Sequence, residues 1–148
     1  MKTAIVYYSA CHGNTKKLLD AIAASDGSVD LIDVTSQAEA DLGGYDRIGV
    51  ASGIYFNSFA RQALDFVEAK LPGGKPVFLI CTGGAPMKKS FDSITAAVEK
   101  KGCTVIGTYS CRGYDTFAPF RLVGGIAKGH PNEKEIAGAV EFYRGLPG

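Results

Sequence analysis

A chain of 148 residues that is 46% hydrophobic and 21% charged can bury a core without disulfides or metal, and it lies far from the composition of disordered chains. The formal net charge of +1 offers no concentrated basic field, so neither nucleic acid nor an anionic membrane is an expected partner. No stretch approaches the ~20 apolar residues of a membrane span, and the opening apolar run is too short for a signal peptide, so a cytoplasmic location is expected.

In chain order, Ala4 to Tyr8 is a β-rich run that predicts a first strand, and Leu18, Leu19, Ile22 and Ala23 then recur at helical spacing. Val29 to Val34 predicts a second strand and Ile48 to Ala51 a third, followed by a helical stripe of Ala63, Leu64 and Val67. Val77 to Cys81 predicts a fourth strand, apolar throughout, as a strand buried on both faces should be. Phe91, Ile94 and Val98 make a third helical stripe, Thr104 to Thr108 a fifth strand, and Ile136, Val140 and Tyr143 a last helix. Strand and helix alternate, which predicts an α/β fold: one domain over residues 1–148, with a doubly wound parallel sheet of five strands and helices on both faces.

One segment breaks the pattern. Residues 116–132 show neither period and hold two prolines and three glycines, yet they include Phe117, Phe120, Leu122, Val123 and Ile126. An ordered flap against the body is expected there, structural or functional in role. The four cysteines, Cys11, Cys81, Cys103 and Cys111, form no C-x-x-C pair and are expected as reduced thiols. With His12 and His130 they also lack the spacing of a zinc site.

The junction after the first strand carries the chemistry. Ser9, Ala10, Cys11, His12, Gly13, Asn14 and Thr15 form a loop of small and polar residues that runs straight into a helix. Such a loop gathers backbone N–H groups at the positive end of a helix dipole, which is a cradle for an anion. The same residues also fit a plain helix cap by Asn14 or Thr15. There is no G-x-x-x-x-G-K-[ST] and no G-x-G-x-x-G after the first strand, which argues against triphosphate hydrolysis and dinucleotide binding.

A first strand ending in Y-S-x-x-x-G-N-T before a helix resembles the phosphate loop of the flavodoxin family, and two further loops follow that family's order. Ser52, Gly53, Ile54, Tyr55, Phe56 and Asn57 are similar to the loop that lays an aromatic side chain on the flavin, and Thr82, Gly83 and Gly84 to the second flavin loop. The C-terminal stretches from Cys111 to Thr116 and Gly124 to Pro131 resemble a bacterial branch of the same family. The resemblance implies a flavodoxin-like strand order of 2-1-3-4-5, FMN as cofactor, and these three loops as its site. Tyr55 and Phe56 then stack on the ring, although core aromatics at a strand end are the plainer alternative.

The chain also departs from the family. Ala10 and His12 stand where family members carry hydroxyl residues; His12 either replaces one donor or is structural. Cys11 is either a loop filler or a thiol activated by the helix end. After Tyr55 the family places a glycine whose peptide turns over on flavin reduction; this chain has Phe56 and then Asn57, the residue that better tolerates a left-handed backbone. Shuttle flavodoxins are acidic, and this chain is nearly neutral.

The function implied is FMN-dependent electron transfer to a redox partner protein or a small-molecule acceptor, with no dedicated acid, base or metal ligand. The enzyme alternative is an FMN-dependent NAD(P)H:quinone-type oxidoreductase, in which the 116–132 flap builds or blocks a substrate space. A flavin-free regulatory module of the same fold is the remote alternative, disfavoured because the first and third strands end in Tyr-Tyr-Ser and Ala-Ser-Gly rather than in carboxylates.

Overall fold

The computed structural model describes residues 1–9, 13–83, 88–112 and 129–147. Its strands form where the apolar runs lie: β1 (Thr3–Tyr8), β2 (Val29–Asp33), β3 (Arg47–Tyr55), the two-residue β4 (Ser58–Phe59), β5 (Pro76–Gly83) and β6 (Thr104–Arg112). Helices fill the intervals: α1 (Asn14–Ser25), α2 (Arg61–Lys70), α3 (Asp92–Lys100) and α4 (Glu133–Arg144), with a 3-10 turn over Lys88–Phe91 leading into α3. Among the described residues five strands pair in parallel in the order β2-β1-β3-β5-β6. That is the expected 2-1-3-4-5 arrangement, to which β4 adds a short antiparallel partner for β3.

Alternation along each central strand sends side chains to two separate cores. Ala4 and Val6 of β1, Ile48 and Val50 of β3, and Val77 and Leu79 of β5 face one side, where Leu64, Phe66 and Val67 of α2 and Ile94 and Val98 of α3 cover them. Ile5 and Tyr7 of β1 and Phe78 and Ile80 of β5 face the other, beneath Leu18, Leu19 and Ile22 of α1 and Ala139 and Tyr143 of α4. Both faces are buried, which is why these strands read as unbroken apolar runs. On α4 the predicted stripe is shifted: Ala139 and Tyr143 are buried, whereas Ile136 and Val140 are only half-buried. The connection between β2 and β3 has no helix; Val34 and Leu42 anchor it to the core, with Ala40 and Tyr45 packed beside them.

Cys81, Cys103 and Cys111 are free and buried. Burial pushes the thiols of Cys81 and Cys111 up to about 12, which keeps them protonated and unreactive at neutral pH. No helix among the described residues is long and apolar enough to cross a membrane.

The tightest packing requirement falls on Gly49 of β3. It pairs in register with Phe78 of β5, and a Cβ at Gly49 would lie 2.4 Å from Phe78 Cζ and 2.5 Å from Cε2. The Phe78 ring occupies the space that a side chain at Gly49 would need, and it packs edge-on against Phe142 and Tyr143, with centroids 6.3 and 5.9 Å away. Gly49→Ala is therefore expected to overpack the core beneath α4 and lower stability by about 1–3 kcal/mol, as read from urea unfolding at constant m-value.

Candidate functional site

The parallel register brings the C-terminal ends of the central strands level. Tyr8 of β1 lies beside Ser52 of β3, Gly53 beside Thr82 of β5, and Gly83 beside Arg112 of β6. In a doubly wound sheet, ligands bind outside this edge, and the loops that leave it are the ones singled out from the sequence.

The first loop enters α1 through Gly13, which takes the left-handed conformation with φ 64°. Gly13 at the N-cap has no side chain to offer, and the first turn holds no acidic residue, so no charge within the helix offsets the positive end of its dipole. The Ser9 hydroxyl accepts from the Lys16 backbone N–H at 3.3 Å, folding the strand exit over that first turn. Asn14 and Thr15 are buried there. Lys16 is paired with Asp20 one turn on, which turns its charge along the helix.

The second loop is a tight hairpin. Tyr55 of β3 pairs with Ser58 of β4, so Phe56 and Asn57 form a two-residue turn. Both are left-handed, with φ 52° and 62°, as a type I′ turn requires. The sequence marked only Asn57 as tolerant of this geometry; the hairpin imposes it on Phe56 as well, whose side chain is 84% exposed. Gly53 leaves room for the aromatic ring two residues later, since a Cβ there would lie 3.2 Å from Tyr55 Oη. Ser52 locks the base of the hairpin: its buried hydroxyl donates to the Gly53 carbonyl at 2.6 Å and accepts from the Ala60 N–H at 2.9 Å, just before α2. At the tip, the Ser58 and Ser93 hydroxyls meet at 2.6 Å and tie the hairpin to α3.

The third loop leaves β5 at Thr82 and Gly83. The Thr82 hydroxyl lies 2.9 Å from that of Thr15 in a buried hydrogen bond, and this contact joins the first loop to the third. Of the residues marked in the sequence, Ser9, Gly13, Asn14, Thr15, Gly53, Thr82 and Gly83 are thus brought to one edge. Ile54 belongs to β3 and packs against the core beneath α2 and α3. Ala10, Cys11, His12 and Gly84 lie outside the described residues, as does 116–128 of the expected flap.

Tyr55 turns toward Tyr8, edge to face, with centroids 6.2 Å apart. Together with Phe56, Phe59 and Leu64 these rings line a cavity of about 470 Å³ beside the hairpin. Tyr8 and Ser52 open the two loop motifs in the sequence, but sequence reading assigned neither a role at the site. Tyr8 sits one position before the marked loop, and its signal was an aromatic at the last position of a strand. Ser52 lies in the second loop motif, but nothing local marks its role, which is to hold residues that come later in the chain.

Glu135, in the first turn of α4, meets the C-terminal end of β6. Its carboxylate accepts from the Asn132 N–H at 2.9 Å and from the Arg112 N–H at 3.1 Å, and it pairs with His130 Nδ1. Asn132 in turn accepts from the Glu135 N–H at 2.8 Å, completing a capping box. Burial raises the Glu135 carboxyl, but the donors from Asn132, His130 and Arg112 outweigh it and leave the group below its usual range. A folded-state value below the unfolded one contributes stability that is complete above the unfolded value and is lost as pH falls through the folded one. Glu135→Gln should therefore lower stability at neutral pH and flatten its fall below about pH 4.5, the ordinary value for this carboxyl. Parallel urea melts of both proteins from pH 7 to 3 measure this, and an unchanged acid slope would contradict it.

The comparisons with known proteins agree in direction. A family model described as a flavodoxin domain matches residues 5–110. An uncharacterized protein of Methanocaldococcus jannaschii is 33% identical over 148 residues, covering 99% of this chain and 98% of that protein. Among solved structures, oxidised flavodoxin 2 from Bacillus cereus superposes with a TM-score of 0.70 at 19% identity, over 96% of this chain and 94% of that one. General stress protein 14 from Treponema denticola, solved in complex with FMN, gives a TM-score of 0.68 at 11% identity, over 97% of this chain and 98% of its own.

Proposed function

The chain belongs to the flavodoxin domain family, and from that premise we propose that it binds FMN at the loop edge described above and passes electrons through it. The observation that carries this reading is the buried hydroxyl contact between Thr15 and Thr82, which fixes the α1 N-terminus and the exit of β5 as two walls of one site. The arrangement fits the cofactor's parts. The α1 terminus, with Ser9, Gly13, Asn14 and Thr15, offers backbone and side-chain donors to a phosphate. The Phe56-Asn57 turn and the Thr82-Gly83 strand end flank the place for a flat ring, with Tyr55 and Phe56 as its aromatic neighbours.

Bound FMN supplies the electron chemistry. The protein's own contribution is to hold the phosphate, set the polarity around the ring and leave an edge open to a partner. The exposed Phe56 is the apolar contact such a partner would meet first. A second reading, an FMN-dependent reductase of quinone-type acceptors fed by NADH or NADPH, draws on the cavity of about 470 Å³ lined by Tyr8, Tyr55 and Phe56. The carrier reading asks less of the residues, because it needs no positioned acid or base.

The purified protein is expected to be yellow or to take up added FMN; a colourless protein that binds none would defeat the proposal. Replacing Asn14 and Thr15 together with alanine should weaken FMN binding on the order of 100-fold, the scale of two hydrogen bonds to a charged group. Replacing Lys16 and Lys17 should cost about threefold or less, the scale of exposed charges. The opposite ranking would mean that lysine charge holds the phosphate. Steady-state oxidation of NADH or NADPH with a quinone separates carrier from enzyme: turnover of about 10 per second or more marks the reductase.

A further inference from the structure

The opposite edge of the sheet, where β3 begins, holds a buried cation. Arg47 is 6% exposed, and among the described residues no carboxylate forms an ion pair with it. Its Nη1 donates a long hydrogen bond of 3.4 Å to the Pro147 carbonyl, and its Nε is sealed with no acceptor. The guanidinium lies 4.8 Å from the Tyr143 ring centroid and 5.8 Å from that of Phe78, so two aromatic faces offset part of its lost hydration. Asp26 attracts it electrostatically but makes no direct ion pair with it, so a desolvated guanidinium short of acceptors remains costly.

Asp26 stands nearby but is committed elsewhere. One of its oxygens accepts from the Ser28 N–H at 2.9 Å and the Ser28 hydroxyl at 2.7 Å, and the other from the Tyr143 hydroxyl at 2.7 Å. Arg47, Asp26, Ser25, Tyr143, Arg144 and Leu146 line a cavity of about 340 Å³, more room than an inorganic ion needs.

We propose that this cavity is a second ligand site, remote from the loop edge, for a small organic monocarboxylate that gives Arg47 the direct ion pair it does not make with Asp26. With Nε sealed, the terminal Nη groups are the ones left to meet the two oxygens of a carboxylate, with Arg144 at the rim adding attraction. Leu146 and the Tyr143 ring provide apolar walls for the body of the ligand. Asp26 selects against dianions: the Ser28 hydroxyl, the Tyr143 hydroxyl and the Ser28 N–H hold its carboxyl down to about 2, so it is ionised at neutral pH. A second negative charge in the same cavity penalises a phosphate dianion more than a monocarboxylate. The proposal is independent of FMN.

The test is NMR titration of the full chain, apo and FMN-loaded, with sodium benzoate, inorganic phosphate and sodium chloride at equal ionic strength. Benzoate is expected to shift the Arg47 Nε–H and Tyr143 resonances saturably, with chloride giving no such shift. Arg144→Gln, which leaves the buried guanidinium in place, should weaken benzoate about two- to fivefold, as loss of an exposed charge does. Arg47→Gln should weaken it more than about tenfold, and Arg47→Lys serves if the glutamine variant does not fold. The absence of a saturable benzoate shift, or saturable shifts confined to residues outside the cavity, would overturn the site. Phosphate binding more tightly than benzoate would overturn the ligand class.

Discussion

The hydroxyls of Thr15 and Thr82 meet at 2.9 Å where neither reaches solvent, and the geometry of the loop edge depends on that meeting. Thr15 belongs to the first turn of α1 and Thr82 to the end of β5, two strands away across the sheet. Each hydroxyl would carry a desolvation cost alone, so the pair holds the helix terminus and the strand exit at one fixed separation. A helix N-terminus without such contacts is free to fray. Secured by this contact and by the reach of Ser9 to the Lys16 N–H, it becomes a preorganised set of donors.

The hairpin opposite is held by a different device. Ser52 spends both hydroxyl roles on backbone groups that flank the turn, and the turn stores strain at Phe56, a residue poorly suited to a left-handed backbone. The strain is sustained because β3 and β4 pair on either side and the Ser58–Ser93 contact anchors the tip. A large and mostly exposed apolar side chain is thereby held at the rim of the cavity beside the hairpin.

The two ends of the sheet contrast in charge. At the C-terminal edge the positive character is a helix dipole and backbone N–H groups, spread over a loop. At the N-terminal edge it is the buried Arg47 guanidinium near Tyr143 and Phe78, with Arg144 at the cavity rim and Asp26 hydrogen-bonded to Ser28 and Tyr143. Gly49 connects the second arrangement to the core, because the ring that fills its missing side chain's place is the same Phe78 that neighbours Arg47.

Strands, helices and their alternation were legible from the residues alone, since apolar period and turn residues are written in local order. The strand order and the three loops were legible through the family resemblance. Local order does not say which distant groups meet. Thr15 and Thr82 are 67 positions apart, Arg47 and Pro147 are 100, and Asp26 and Tyr143 are 117, so those contacts exist only once the sheet has set its register. For the same reason Tyr55 faces Tyr8, Ile54 turns to the core, and Arg47 reads in the sequence as an ordinary charge at the start of a strand. Patterning along the chain decided what kind of structure forms; burial and through-space pairing decided which of its polar groups are left to bind something else.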